Sequence, residues 1–81
     1  MVGKIVCSVA GRDKGRFMVV VGANGDRPLV CDGKERPLER PKLKNPKHLQ
    51  ITKFTLEPQQ YSSNKSLRRA INELRQRAEE I

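Results

Sequence analysis

The rhythm of hydrophobic and polar positions changes twice along this chain. Over residues 3–10 it alternates, with Ile5, Cys7 and Val9 on one side and Lys4, Val6 and Ser8 on the other. A period of two predicts a half-buried strand. Phe17-Met18-Val19-Val20-Val21 is apolar at every position, which predicts a strand covered on both faces, central or strongly curved. Leu29-Val30-Cys31 makes a third strand and residues 34–38 a short fourth. Asn24-Gly25 is the pair favoured in a two-residue hairpin, because both central positions take positive φ. Asp32-Gly33 repeats the turn signal. Pro37, Pro41 and Pro46 remove ladder donors and argue against a central strand over residues 37–46, so residues 36–48 read as an extended basic surface loop. Residues 48–56 form the last strand. Leu49 and Ile51 share one face, and Thr52, Phe54 and Leu56 the other; a bulge near Ile51-Thr52 lets both sets be buried. Five short strands closed by tight turns predict a mainly β fold, a small five-stranded barrel over residues 1–57. Closure removes the exposed strand edges of a flat sheet.

Beyond residue 57 the rhythm changes. Residues 58–63 are polar with a proline and read as a linker. Leu67, Ile71, Leu74, Ala78 and Ile81 then recur at helical spacing, predicting an amphipathic helix over residues 64–81, capped by Asn64 or Ser63. The narrow stripe also resembles a coiled-coil seam, and so could pair with a partner helix. Lys65, Arg68 and Arg69 sit in the first turns and Glu79 and Glu80 in the last, against the helix dipole. Either the helix tolerates this, or its bases meet phosphate.

Eighty-one residues make one small domain with a thin core, since chains of this size bury only about 60% of their unfolded surface. With no tryptophan, one tyrosine and two phenylalanines, the valine-rich runs must supply most of that core. No apolar run reaches the roughly 18 residues of a membrane span, and no secretion signal is visible, so a cytoplasmic location is expected. Cys7 and Cys31 are too few for a disulfide scaffold or a four-ligand zinc site. They read as small buried hydrophobes, with an interchain metal or redox role as the alternative. Catalysis finds little footing. His48 is the only histidine, Glu35 and Glu39 alternate with Arg36 and Arg40, and no nucleophile or carboxylate pair stands in a catalytic frame. No enzyme activity, cofactor or metal is expected.

Charge changes the picture most. The net charge is +8: residues 1–33 carry +2, residues 34–53 carry +5, and residues 54–81 carry +1. Such a field favours RNA, DNA or an anionic membrane surface. DNA ranks below RNA because nothing resembles a base-reading helix. With so few aromatics, stacking readout of single strands is disfavoured, and phosphate and shape recognition of folded RNA fits better.

Gly11-Arg12-Asp13-Lys14-Gly15 stands just before the apolar strand. It lacks the Gly-Lys-Ser/Thr and following helix of a nucleotide-binding loop. As a turn, Gly11 and Gly15 supply positive φ, Asp13 bonds its own backbone, and Arg12, Lys14 and Arg16 stand outward. The loop is either a solvated turn or a phosphate contact. Residues 2–21, a strand, a Gly-x-x-Lys-Gly turn and a second strand, resemble a KOW motif with Gly15 as its key glycine. The longer frame, with "VGKIV", "PLVCDG" before a basic Arg-Pro stretch, and "KHLQITKF" before a helical tail, is similar to the large-subunit ribosomal protein family fourteen-e. The resemblance implies an SH3-like barrel whose loops face RNA, ribosomal RNA above all, or a protein of the transcription or translation machinery. The residues expected to contact RNA are Arg12, Lys14, Gly15 and Arg16 in the loop, and Arg36, Arg40, Lys42, Lys44 and Lys47 in the basic segment.

Overall fold

The computed structural model describes the backbone of residues 1–79 and the side chains of residues 1–77. Ala78 and Ile81 of the predicted stripe, and Glu79 and Glu80 as charges at its end, lie outside the described side chains. The elements run β1 (Lys4–Ser8), β2 (Phe17–Asn24), β3 (Arg27–Cys31), β4 (Lys42–Leu43), β5 (Leu49–Thr55) and α1 (Asn64–Glu79), with 3-10 turns at Pro46–His48 and Pro58–Tyr61. The strands form one antiparallel sheet in the order β4-β3-β2-β1-β5. The chain is therefore mainly β with one C-terminal helix. β4 and β5 are the two ends of the sheet and do not pair with each other.

The all-apolar run is the central strand. On one face Ile5, Val19 and Cys31 lie opposite one another across β1, β2 and β3. Leu67, Ala70, Ile71 and Leu74 of α1 cover that row and share its core with Leu56. On the other face Val6, Met18, Val20 and Val30 form a second buried cluster, with Leu49 against it and, among the described residues, none from the helix in it. Burial of that face without a helix requires the sheet to curl around it. Irregularities in register supply the bend. Val20 faces Val30 while Gly22 faces Leu29, so β2 holds one extra residue. Lys4 faces Thr55 while Val6 faces Ile51, so β5 holds two.

Four expectations change. β1 is not half-buried, because Ile5 and Val6 point into different cores and both are fully buried. The bulge in β5 falls where expected, but it leaves Ile51 59% exposed. Thr52 repairs the interrupted ladder: its hydroxyl donates to the Ile5 carbonyl at 2.7 Å and accepts the Phe54 N–H at 3.1 Å. The hairpin turn lies one residue later than expected. Asn24 pairs with Arg27, and only Gly25, at φ +64°, has positive φ there, so the turn has glycine at its first central position. Residues 34–38 are a loop, because the Asp32 carboxylate accepts the N–H groups of Lys34 and Arg36 at 2.8 and 2.9 Å and holds the chain in a turn. The fourth strand is instead Lys42–Leu43, paired with Val30 and Leu29 inside the proline-rich segment. It is a sheet edge, the one position where flanking prolines are tolerated.

Ser63 is the helix cap. Its hydroxyl accepts the Ser66 N–H at 3.1 Å, and the Ser66 hydroxyl accepts the Ser63 N–H at 3.2 Å. Asn64 has a different task. Its side chain accepts the Leu38 N–H at 2.8 Å and donates to Glu39 at 2.7 Å, which fastens the basic segment to the helix start. The polar stretch before the helix contains the Pro58–Tyr61 turn, and Tyr61 packs on the helix-side core.

Gly33 sets how closely α1 approaches. It has φ +81°, and a Cβ there would lie 2.6 Å from the Asn64 carbonyl and 3.3 Å from Leu67 Cβ. Gly15 has a similar φ, +86°, but open space around it. Gly15→Ala should therefore cost about 1–2 kcal/mol from backbone strain alone. Gly33→Ala should cost about 2–5 kcal/mol, because the clash with the helix adds to that strain. Urea unfolding followed by circular dichroism measures both; equal losses would show that the helix does not rest on Gly33.

Candidate nucleic-acid interface

The first loop closes on two backbone bonds, Gly15 N–H to the Ser8 carbonyl at 2.7 Å and Ser8 N–H to the Arg16 carbonyl at 3.0 Å. Gly11 and Gly15 have φ +76° and +86°, as the reversal requires, and no atom lies within 4 Å of where a Cβ would stand at either. Their tip is thus bare backbone flanked by the exposed side chains of Arg12 and Lys14.

Asp13 departs from the turn role expected of it. Its side chain is 3% exposed and makes no bond to its own loop. Instead Oδ2 receives Arg36 Nη2 and Lys44 Nζ, each at 3.4 Å. Burial pushes the carboxyl upward, but the charges of Arg36 and Lys44, with their hydrogen bonds, outweigh it and hold the group below its ordinary value of 3.8. One carboxylate therefore ties the tip of the first loop to the segment after β3 and to the residue that follows β4. Nothing local in the sequence marks this role. The only signal is an acid placed among three cations, with partners 23 and 31 residues away.

The cations proposed as contacts separate into two groups. Arg12, Lys14, Arg40, Lys42 and Lys47 are exposed. Arg36, Arg40 and Lys42 line one shallow groove with Glu35, Pro37 and Pro41. Lys47 stands on the Pro46–His48 turn, whose N-terminus is capped by Asn45, and the His48 carbonyl accepts the Val9 N–H at 2.9 Å. That bond sets Lys47 beside the base of the first loop. Lys44 is different: it is buried and its ammonium faces Asp13, so it is a structural cation and not a surface one. Arg16 does not stand free either. Its guanidinium lies 3.5 Å from Asp32 and 3.0 Å from Glu35, and the hydrogen bond to Glu35, then its charge, holds its pKa above the ordinary value.

Other chemistry is sparse. Burial, then the charges of Asp32 and Glu39, pushes the Cys31 thiol up to about 11, so it is a neutral, unreactive group near pH 7. Among the described residues no cluster of three or more His, Cys, Asp and Glu could hold a metal ion. Among the described residues no helix is long and apolar enough to cross a membrane.

The Asp13 junction makes a pH-dependent prediction. Because the folded carboxyl titrates below its ordinary value of 3.8, the stability it contributes is present above that pH and is lost as pH falls through the folded value. Asp13→Asn should cost about 2 kcal/mol near neutral pH, lowering Tm by on the order of 10 °C. The gap between wild type and variant should close in acid. Thermal melts over a pH series test this, and a gap that stays constant through the acid range would remove the ion pairs from the account.

No family model matches the chain, and no curated protein matches it.

Proposed function

We propose that this chain is an RNA-binding module of the KOW type, meeting folded RNA, ribosomal RNA above all, through its phosphates and its shape. The observation that carries the reading is the convergence on Asp13. A single buried carboxylate gathers the glycine-bounded tip, the Arg36 loop and the end of β4 at one place. Arg12 and Lys14 flank it, and the groove of Arg36, Arg40 and Lys42 lies beside it. An array of cations on a bare backbone tip suits a phosphodiester chain, which can come close to glycine and be held by long side chains. We read the curled sheet as an SH3-like barrel whose inner cluster is Val6, Met18, Val20 and Val30; the bends of β2 and β5 and the helix-free burial of that cluster support this. The alternative, a protein-interaction module acting through the helix, has less support. The stripe of Leu67, Ile71 and Leu74 is taken up by the sheet and is not open to a partner helix.

Arg12 and Lys14 are the residues on which to test it. Arg16 is not, since reversing its charge would set a third acid beside Asp32 and Glu35. Arg12→Glu with Lys14→Glu should weaken RNA binding at least tenfold. It should move stability by only about 0.5 kcal/mol per site, because both side chains are exposed. For about six phosphate contacts, wild-type affinity should fall roughly a thousandfold between 50 and 200 mM salt. Fluorescence anisotropy across a salt series measures both effects, and salt-insensitive affinity would overturn the mechanism.

A further inference from the structure

A second cleft, of about 460 Å³, opens between the sheet and α1. Four of its lining residues are basic, Arg16, Lys34, Arg68 and Arg75, and one is acidic, Asp32; Phe17 and Ile71 are its apolar lining. Arg68 and Arg75 are seven residues apart, and so stand on one face of the helix. Both are exposed, and no described acid lies within 4.0 Å of Arg68 or Lys34. The cleft is also built. A Cβ at Gly33 would lie 3.2 Å from Arg68 Cγ, so the stem of Arg68 rests on the loop that carries Lys34.

This cleft adjoins the groove of Arg36, Arg40 and Lys42. Lys34 lines the one and Glu35, the next residue, lines the other. What divides them is the ion pair between Arg16 and Glu35, whose carboxylate side is 56% exposed. An acid at the midpoint of a basic track repels phosphate and occupies the one arginine that could bridge the two halves.

We infer that the phosphodiester backbone of RNA runs on from the Arg36–Lys42 groove, past the Arg16–Glu35 pair, into the cleft of Lys34, Arg68 and Arg75. This rests on the RNA reading above and adds the helix to the binding surface. It also accounts for one of the bases at the helix start. Arg68 opposes the helix dipole at a small local cost, and it stands where a phosphate would meet it.

The test uses the full chain and a fluorescently labelled RNA stem-loop, titrated at several salt concentrations. Arg68→Ala with Arg75→Ala should lower the slope of log affinity against log salt by about 1.8, the share of two phosphate contacts. Its deficit relative to wild type should accordingly shrink about tenfold between roughly 50 and 200 mM salt. Glu35→Gln should bind more tightly, on the order of fivefold, the worth of one unit charge at contact distance in water. That gain cannot arise from a damaged fold, so it carries the test if the helix variant melts. If Arg12→Glu with Lys14→Glu weakens binding while the helix variant keeps wild-type affinity and slope, the helix arm is wrong and the RNA reading stands. An unchanged or weaker Glu35→Gln overturns the through-going track. Wild-type protein that shows no salt-dependent affinity for the stem-loop overturns the RNA reading and this inference together.

Discussion

One buried carboxylate organises the surface of this protein. Asp13 sits at the tip of a loop, where an aspartate would ordinarily face water, yet it is almost fully enclosed and holds Arg36 and Lys44 by a single oxygen. Taking these charges from water is costly, and the mutual attraction of such groups does little more than repay it. The return is in geometry. A core as thin as this one fixes strands and a helix, but it does not join the first loop to the segment after β3 and to the exit of β4. An ion triad does, because both cations depend on the one carboxylate and would face each other uncompensated without it.

The sheet below depends on a different constraint, that its central strands are apolar on both faces. One helix can cover only one face. Ile5, Val19 and Cys31 receive α1, and Gly33 allows that helix to come into contact. The opposite face is buried without α1, which an ideal flat sheet does not achieve. The extra residues in β2 and β5 bend it. At the second bulge the Thr52 hydroxyl stands in for a lost backbone partner, so curvature is gained without leaving the Ile5 carbonyl bare. The two halves of the structure are therefore coupled. Curl buries one cluster, and the face left by that curl is the surface on which the helix docks.

How much of this was legible in the sequence follows the range of the forces involved. β1, β2, β3, β5 and α1 were readable because each has a periodicity or an unbroken apolar run over at least three residues. β4 was not, since two residues, Lys42 and Leu43, have no rhythm, and their pairing depends on Leu29 and Val30 being open on that side. Residues 34–38 have a weak strand pattern yet form a loop, because one side chain, that of Asp32, overrides that pattern by accepting two backbone donors. The Gly25 turn shifted by one residue for a related reason: Asn-Gly fits two turn types, and strand register chooses between them. The charged residues were the least legible. Composition counts Lys44 and Lys42 alike, although Lys42 is exposed on the short edge strand while Lys44, one residue past its end, is buried with its ammonium at Asp13.

That difference bears on any reading of a basic protein from its charge. The net charge of +8 is a property of the whole chain and survives folding unchanged, so it sets the long-range field whatever the fold does. Contact is another matter. Within a Debye length, about 8 Å at physiological salt, what counts is which cations still have water around them. Folding pairs Arg36 and Lys44 with Asp13, and Arg16 with Asp32 and Glu35. It thus removes buried Lys44 from contact and ties down Arg36, both inside the segment richest in charge, and ties down Arg16 at the first loop. Meanwhile it brings Arg68 and Arg75, from the segment of lowest net charge, to the wall of a cleft beside Lys34. The charge count locates the attraction along the chain, while the ion pairs decide which face can act on it.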